Sequence, residues 1–385
     1  MDFGEVFTFT HRTKLITGQR STARLGPELT GLGLRNALIV TDPGVVAAGL
    51  TEPLVASLDA AGVAHVLYDR IEPNPTAESV DEGARWVKEH GCDNVVALGG
   101  GSSIDAAKCI AMLTTNGGAV RDYEGAGKFT RPLIHLTAIP TTVGTGSEVT
   151  FGAVITDPMR KKKMVLAGEL FCPPLAVIDP EMVRGLPASV TAATGMDALT
   201  QGIEGYISSR AQVITDALNL EAVRIIARSL RPAVLMGDFL SLARMQIAAT
   251  MAGMGFINGG LGVVHAMSNT VGGVYGTPHG VTNAVILPHG MRYNLPARVE
   301  RMADIARAMG EKVDHLSDRD AAEAAIRAVE RLARDVGIPP RLSDLGVTDE
   351  HIEAMAEEAL HTFDIQTNPR RYSQASVAAL YREAL

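Results

Sequence analysis

The stretch VVALGGGSSIDAAKCIAM, residues 95–112, decides the fold. It begins as an apolar run of buried-strand length, breaks at Gly99, Gly100 and Gly101, and resumes as a helical pattern carrying Asp105. A strand that passes through glycines into a helix presents free backbone N–H groups to a phosphate, and the glycines let that ligand come close. Ser102 and Ser103 follow as candidate helix caps. The run fits neither the GxxxxGKS/T nor the GxGxxG pattern, and a glycine-rich turn of this kind also serves as a plain tight connection.

Its neighbours bear on that choice. Short β-branched or aliphatic runs at 36–42 (NALIVTD), 64–69 (AHVLYD), 133–142 (LIHLTAIPTT) and 175–180 (LAVIDP) alternate with helical patterns such as 77–91. This alternation predicts a mostly parallel α/β layer. Beyond residue 185 the chain turns rich in Ala, Leu and Met, with helical segments at 187–209, 213–235, 239–258, 297–310, 319–336 and 349–360 and few strand candidates. We therefore expect a Rossmann-like α/β domain over 1–185 and an all-helical domain over 186–385, divided at the Pro and Gly breakers of IDPEMVRGLP.

Two further strand ends carry chemistry. In AIPTTVGTGSEVT (138–150) a strand ends at Pro140 and a hydroxyl-rich loop follows, with Thr141, Thr142, Thr145 and Ser147 as donors. In IVTDPG (39–44) Asp42 closes an early strand, where a carboxylate can accept from ribose hydroxyls and repel a 2′-phosphate. Taken singly, the first reads equally as a capped surface loop and the second as the opening of a DPG turn. Two such loops on the carboxyl ends of one parallel sheet are harder to dismiss, because open sheets bind ligands along that edge. Asp42 precedes Gly99 by 57 positions instead of following the glycines, so the topology differs from a standard Rossmann unit.

The helical half holds a different pattern. GMDALTQGIEGY (195–206) sets Asp197 and Gln201 four apart, on one helix face. VVHAMSN and GTPHG add His265 and His279, and an Asp with two His residues is most of a divalent-metal site. Each also has an ordinary reading, as a capping Asp, a core His and a turn His.

Composition narrows the function classes. A chain of 385 residues, 46% hydrophobic, exceeds one average core. A net charge of −8 offers no general attraction to nucleic acid or anionic membranes, and basic residues are scattered apart from RKKK at 160–163. Small molecules are the expected partners, with no nucleic acid and no membrane. Cys92, Cys109 and Cys172 have neither CxxC spacing nor an even count, which fits a reducing compartment. The opening MDFGEVFTFTHRTKLITG has no basic segment followed by an apolar run, so a cytoplasmic location is expected.

Together, in order and spacing over nearly the whole chain, ALGGGSSIDAAK, IPTTVGTGSEVT, GMDALTQGIEGYIS, GLGVVHAMSNTVGGVYGTPHGVTNAVILPH and TNPR resemble the iron-containing alcohol dehydrogenase family. The resemblance implies a dehydroquinate synthase-like architecture. Its α/β domain holds NAD(H) or NADP(H), a helical domain follows, and a cleft between them carries a divalent metal. By position, Gly99, Gly100, Gly101 and Ser102 would cradle the pyrophosphate, while Thr141, Thr142, Thr145 and Lys163 would line the phosphates, nicotinamide and its ribose. Asn74 of EPNPT and Asp42 fall on the adenosine side, Asp42 favouring NAD over NADP. Arg160 and Lys161 are read as a solvated basic turn.

The metal ligands of the family fall on Asp197, Gln201, His265 and His279. Two positions depart from the family pattern, since Gln201 and Asn269 each stand where an imidazole is usual. A carboxamide oxygen is a neutral, harder donor than imidazole. It lowers the expected affinity and turns the site toward cations such as Fe²⁺, Mn²⁺ or Mg²⁺. Fe²⁺ is the expected ion, with Zn²⁺ or Mn²⁺ as alternatives.

The implied reaction is hydride transfer between a nicotinamide and a small alcohol or its aldehyde or ketone, assisted by the metal as Lewis acid. His265 and Asn269 are the candidate catalytic residues. Asn269 cannot act as acid or base, so the proton would pass through water, a ribose hydroxyl, or His265 if it is unligated. Tyr123 and Phe151 are candidate lining residues whose ordinary reading is packing, and DIQTNPRRY (364–372) is a candidate far wall. A homodimer or larger homo-oligomer is expected. The competing readings are a metal-independent reductase resembling maleylacetate reductases, a synthase on the related scaffold, and a catalytically impaired cofactor-binding protein.

Overall fold

The computed structural model describes residues 6–160 and 162–385, which divide into two compact units. One comprises Thr10–Thr142 and Gly146–Leu186; the other comprises Pro187–Leu385 with Val143–Thr145 and the segment ending at Phe9.

The first unit contains strands β1 (Lys14–Thr17), β2 (Asn36–Val40), β3 (Ala64–Tyr68), β4 (Asn94–Gly99), β5 (Gly125–Ala126), β6 (His135–Pro140), β7 (Gly152–Asp157), β8 (Lys162–Ala167) and β9 (Leu175–Ile178). Its helices are α1 (Leu25–Gly31), α2 (Pro43–Ala47), α3 (Thr51–Ala60), α4 (Ala77–Glu89) and α5 (Gly101–Asn116). Six strands form a parallel sheet in the order β1-β9-β6-β4-β2-β3. Side chains alternate across it. Leu38, Val40, Val95 and Ala97 pack with α4 and α5, while Ala37, Ile39, Val96 and Leu98 pack with α1 and α3. Burial on both faces is why these strands read as unbroken apolar runs.

The sheet order also answers the puzzle of Asp42. β2 leads outward to β3, and β4 leads the other way to β6, so the neighbours β2 and β4 form the topological switch point of the sheet. Asp42 and the glycine turn follow those two strands and therefore meet despite their separation in sequence.

A second, three-stranded sheet, β5-β8-β7, contains the antiparallel hairpin β7–β8, which sequence periodicity did not announce. Its signal is short and its basic run obscures the alternation. Ala153, Ile155, Met164 and Leu166 point inward, and the cross-strand pair Val154 and Val165 stays exposed. Arg160 lies exposed in the turn of this hairpin, as the reading of a solvated basic turn expects. Its guanidinium donates to buried Asp157 at 2.6 Å and to Glu124 at 2.8 Å. Lys161 lies outside the described residues.

The second unit contains α6 (Ala188–Ile207), α7 (Val213–Met236), α8 (Phe239–Gly259), α9 (Val263–Tyr275), α10 (His279–Asn294), α11 (Val299–Ala308), α12 (Asp318–Asp335), α13 (Ile352–Ala359) and α14 (Gln374–Ala384). It is helical, as expected. α6 packs against α7, α8 and α10 and is buried without interruption from Gly195 to Ile207. Among the described residues α8 alone is long and apolar enough to cross a membrane, and it packs on α6 and α7. Sequence periodicity did not mark α9 and α10. α9 is buried almost all round and so has no polar stripe, and α10 carries within its continuous helix Pro288, which reads in sequence as a helix stop.

Candidate functional site

The two units carry two sets of candidate residues. In the α/β unit, Asp42 is both the turn residue and the neighbour of the glycines. Its Oδ1 caps α2 by accepting from Val45 N at 3.0 Å, and its Oδ2 accepts from Ser103 Oγ at 3.3 Å. Ser102 and Ser103 are not caps, contrary to expectation, because Gly100 holds the N-cap position of α5. Ser102 Oγ donates instead to Pro73 O at 2.5 Å, which fastens the loop bearing exposed Asn74 to the glycine turn. Among the described residues no side chain caps α5, so the partial positive charge of its first turn is available to an anion.

The end of β6 joins the same edge, where Thr141 N donates to Gly99 O at 3.0 Å and Thr142 follows. Thr145 falls in the segment grouped with the helical unit. Lys163 lies on β8, where burial pushes its pKa down and no described carboxylate pairs with it. A part-buried ammonium without a counter-charge is relieved by an anionic ligand. Tyr123 and Phe151 follow their ordinary reading, with both rings packed on the core beneath α4 and α5.

The helical unit brings Asp197, Gln201, His265 and His279 together, from three helices. Asp197 and Gln201 share the buried face of α6, one turn apart. α10 begins at His279 and runs in so close to α6 that a Cβ on Gly280 would meet Ala193 O at 2.3 Å, which only glycine permits. Ligand atoms of Asp197, His265 and His279 all lie within 4.8 Å of one another. His265 Nε2 is 3.5 Å and His279 Nε2 3.7 Å from Asp197 Oδ1.

Neighbouring groups orient each donor. Glu204 accepts from His265 Nδ1 at 2.6 Å, which puts the proton on Nδ1 and leaves Nε2 toward Asp197. Asn283 Nδ2 donates to Asp197 Oδ1 at 2.7 Å and to His279 Nε2 at 3.0 Å, so that nitrogen carries a lone pair. Gln201 Nε2 donates to Asp197 Oδ2 at 3.1 Å, while Gln201 Oε1 is buried without a hydrogen-bond partner among the described residues.

These residues fit a divalent cation. One buried carboxylate, two oriented imidazoles and an orphaned amide oxygen form a mixed oxygen and nitrogen donor set. The electrostatics agree. Burial opposes a charge on His265, but Asp197 and Glu204 outweigh it and push its pKa up to about 10. Burial likewise opposes the Asp197 carboxylate, yet His265 and His279 hold its pKa below the ordinary value. The two carboxylates thus favour positive charge at this position.

Asn269 does not join the ligands. Its Nδ2 donates to Asp364 Oδ2 at 2.8 Å, and burial pushes the Asp364 pKa up. Sequence reasoning missed Glu204 and Asn283. Glu204 had a signal, since 197, 201 and 204 recur on one face of an apolar helix. Asn283 stands one turn after His279, a spacing visible only once α10 is known to be a helix. Glu204→Gln is expected to weaken divalent-metal affinity about 10–100-fold, the usual effect of losing a carboxylate behind a ligating histidine. Titration of chelator-stripped protein measures this, and unchanged affinity removes Glu204 from the metal site.

Comparison with known proteins bears on both sets. The chain matches the profile described as iron-containing alcohol dehydrogenase over residues 12–180, and that of the Fe-containing alcohol dehydrogenase family, C-terminal, over 191–385. It is 43% identical over 370 residues to a 1,3-propanediol dehydrogenase of Citrobacter freundii, covering 95% of this chain and 96% of that one. It is 41% identical over 371 residues to an NAD-dependent methanol dehydrogenase of Bacillus methanolicus, covering 96% and 97%. A crystal structure of 1,3-propanediol oxidoreductase aligns with a TM-score of 0.97 at 41% identity, over 99% of this chain and 100% of that one.

Proposed function

Since the chain belongs to the iron-containing alcohol dehydrogenase family and is an oxidoreductase of that family, we propose that it interconverts a small alcohol and its aldehyde or ketone with NAD(H). Asp197, Gln201, His265 and His279 would hold the divalent metal, with Fe²⁺ the first candidate. The observation that carries this reading is the convergence of buried Asp197 and His265 with half-buried His279, beside an amide oxygen that has no hydrogen-bond partner among the described residues. When bound, such a metal supplies a Lewis acid for the carbonyl or alkoxide oxygen, and the nicotinamide supplies or accepts the hydride.

The remaining work belongs to the chain's own residues. Glu204 and Asn283 keep Asp197, His265 and His279 in one orientation, so little reorganisation is left for the reaction itself. The α5 N-terminus and Lys163 offer positive charge to the cofactor's phosphates, and Asp42 selects against a 2′-phosphate. Asn269 holds no titratable proton and is tied to Asp364, so proton delivery falls to water or a cofactor hydroxyl. The relatives named above are dehydrogenases of small alcohols, which supports a small substrate. A cytoplasmic homodimer or larger homo-oligomer completes the proposal, and light scattering measures the assembly.

The test is turnover of a panel of small aldehydes with NADH, before and after exhaustive chelation. Loss of turnover on chelation and its return with Fe²⁺ is the expected result. Turnover that survives chelation moves the protein to the metal-independent reading, and no turnover at all to the cofactor-binding one.

Gln201→His tests the departure at that position. Restoring the second imidazole on α6 is expected to raise divalent-metal affinity by about tenfold, worth ~1.4 kcal/mol. Adding Asn269→His places an imidazole against Asp364 and is expected to change the pH profile of carbonyl reduction, non-additively with Gln201→His. Additive effects with an unchanged profile mean that the two positions are independent.

A further inference from the structure

α9 starts two residues before His265, so whatever anchors the start of α9 anchors the imidazole. Its N-cap residue, Gly262, has no side chain to cap with. The first-turn N–H groups are served from elsewhere in the helical unit. Val264 N and His265 N donate to Glu204 at 2.8 and 3.2 Å, and Val263 N donates to Asn368 Oδ1 at 3.1 Å. Gly262 suits this crowding, because a Cβ there would meet Glu204 Oε1 at 2.7 Å and Asn368 Oδ1 at 2.9 Å and displace both caps.

Asn368 is itself locked. It exchanges hydrogen bonds with Asn294, both at 2.9 Å, and its remaining N–H donates to Arg370 O at 2.8 Å. Both asparagines are buried. With both N–H bonds donated and Oδ1 accepting twice, the amide has one satisfied orientation, and reversing it would set a donor against Val263 N–H. The same segment touches α9 and its lead-in at two further points. Thr367 Oγ1 donates to Leu261 O at 2.7 Å, and Asp364 accepts from Asn269.

We propose that Asn368, braced by Asn294, is a positioning residue for the metal ligand His265, holding the start of α9 so that the imidazole stays between Asp197 and Glu204. The proposal rests on the metal reading above. It gives the TNPR motif a task distinct from lining a substrate cavity.

Titration of the full-length, chelator-stripped protein with Co²⁺, followed by visible absorption, tests the proposal. Asn368→Ala is expected to weaken Co²⁺ binding about 10–100-fold, as for other groups that orient metal ligands. Asn368→Asp keeps an acceptor for Val263 N but sets a carboxylate oxygen against Asn294 Oδ1 and Arg370 O, so it is expected to recover only part of that loss. Asn294→Ala should weaken binding less, and the double variant should do no worse than Asn368→Ala. Co²⁺ affinity equal to the parent's in folded Asn368→Ala overturns the proposal, even if the melting temperature falls. If Asn368→Ala does not fold, Asn294→Ala carries the comparison, and Co²⁺ affinity equal to the parent's in that variant overturns the proposal. A parent that takes up no Co²⁺ defeats the metal reading instead. In that event the ¹⁵N signals of the His265 ring decide, and a Nδ1–H tautomer insensitive to the asparagine substitutions overturns the positioning role.

Discussion

Asp197→Ala is expected to strip the protein of its divalent metal and to lower kcat/KM for aldehyde reduction by about 10²–10³-fold, the range typical for losing a charge-stabilising group. Asp197 is the centre of the donor set. It accepts from Gln201 and Asn283, and both imidazoles face its Oδ1 within 3.7 Å. Without it, two histidines and an amide remain, and none of those donors carries a negative charge to set against a cation. Truncation of a residue only 3% exposed also leaves buried amide donors unmatched, so some instability is expected from that cause alone. Asp197→Asn separates the effects by keeping the volume and an acceptor while removing the charge. Metal content by atomic absorption, measured beside turnover, reads both variants. Normal turnover in both, together with turnover after exhaustive chelation, would make the reaction metal-independent.

Removing the charge at Asp42 is expected to relax the preference for NAD over NADP by about 10²-fold. A carboxylate set against a 2′-phosphate costs several kcal/mol, and each ~1.4 kcal/mol is tenfold in relative efficiency. Asp42→Gly removes the charge but also the cap on α2, at a cost of about a few tenths to 1 kcal/mol of stability. Asp42→Ser is the cleaner variant, because its hydroxyl can still accept from Val45 N. The ratio of kcat/KM values for NADH and NADPH is the measurement. A parent enzyme equally efficient with both cofactors defeats the assignment, and a ratio unmoved in Asp42→Ser shows that Asp42 serves only as the cap.

Much of the site could be read before the fold was known. Asp197 and Gln201 announce themselves by a one-turn spacing, and the glycine turn by its place between an apolar strand and a helix. His265 and His279 were found by motif, yet their elements were not, because buried α9 lacks a polar stripe and Pro288 within α10 reads as a helix stop. Arg160 lies exposed in its turn as charge suggested, but its partners Asp157 and Glu124 could not be read from the sequence.

The chain by itself determined the order of an α/β half and a helical half, because hydrophobic period is a local property written every two or three to four residues. It also determined which side chains could ligate. Tertiary structure alone decided who stands behind them. Glu204 meets His265 across 61 positions, Asn283 meets Asp197 across 86, and Asn368 meets Val263 across 105. No periodicity records such partnerships. They exist because burying α6, α9 and α10 removes water from their polar groups, and each of those groups then has to find its hydrogen bond inside the protein.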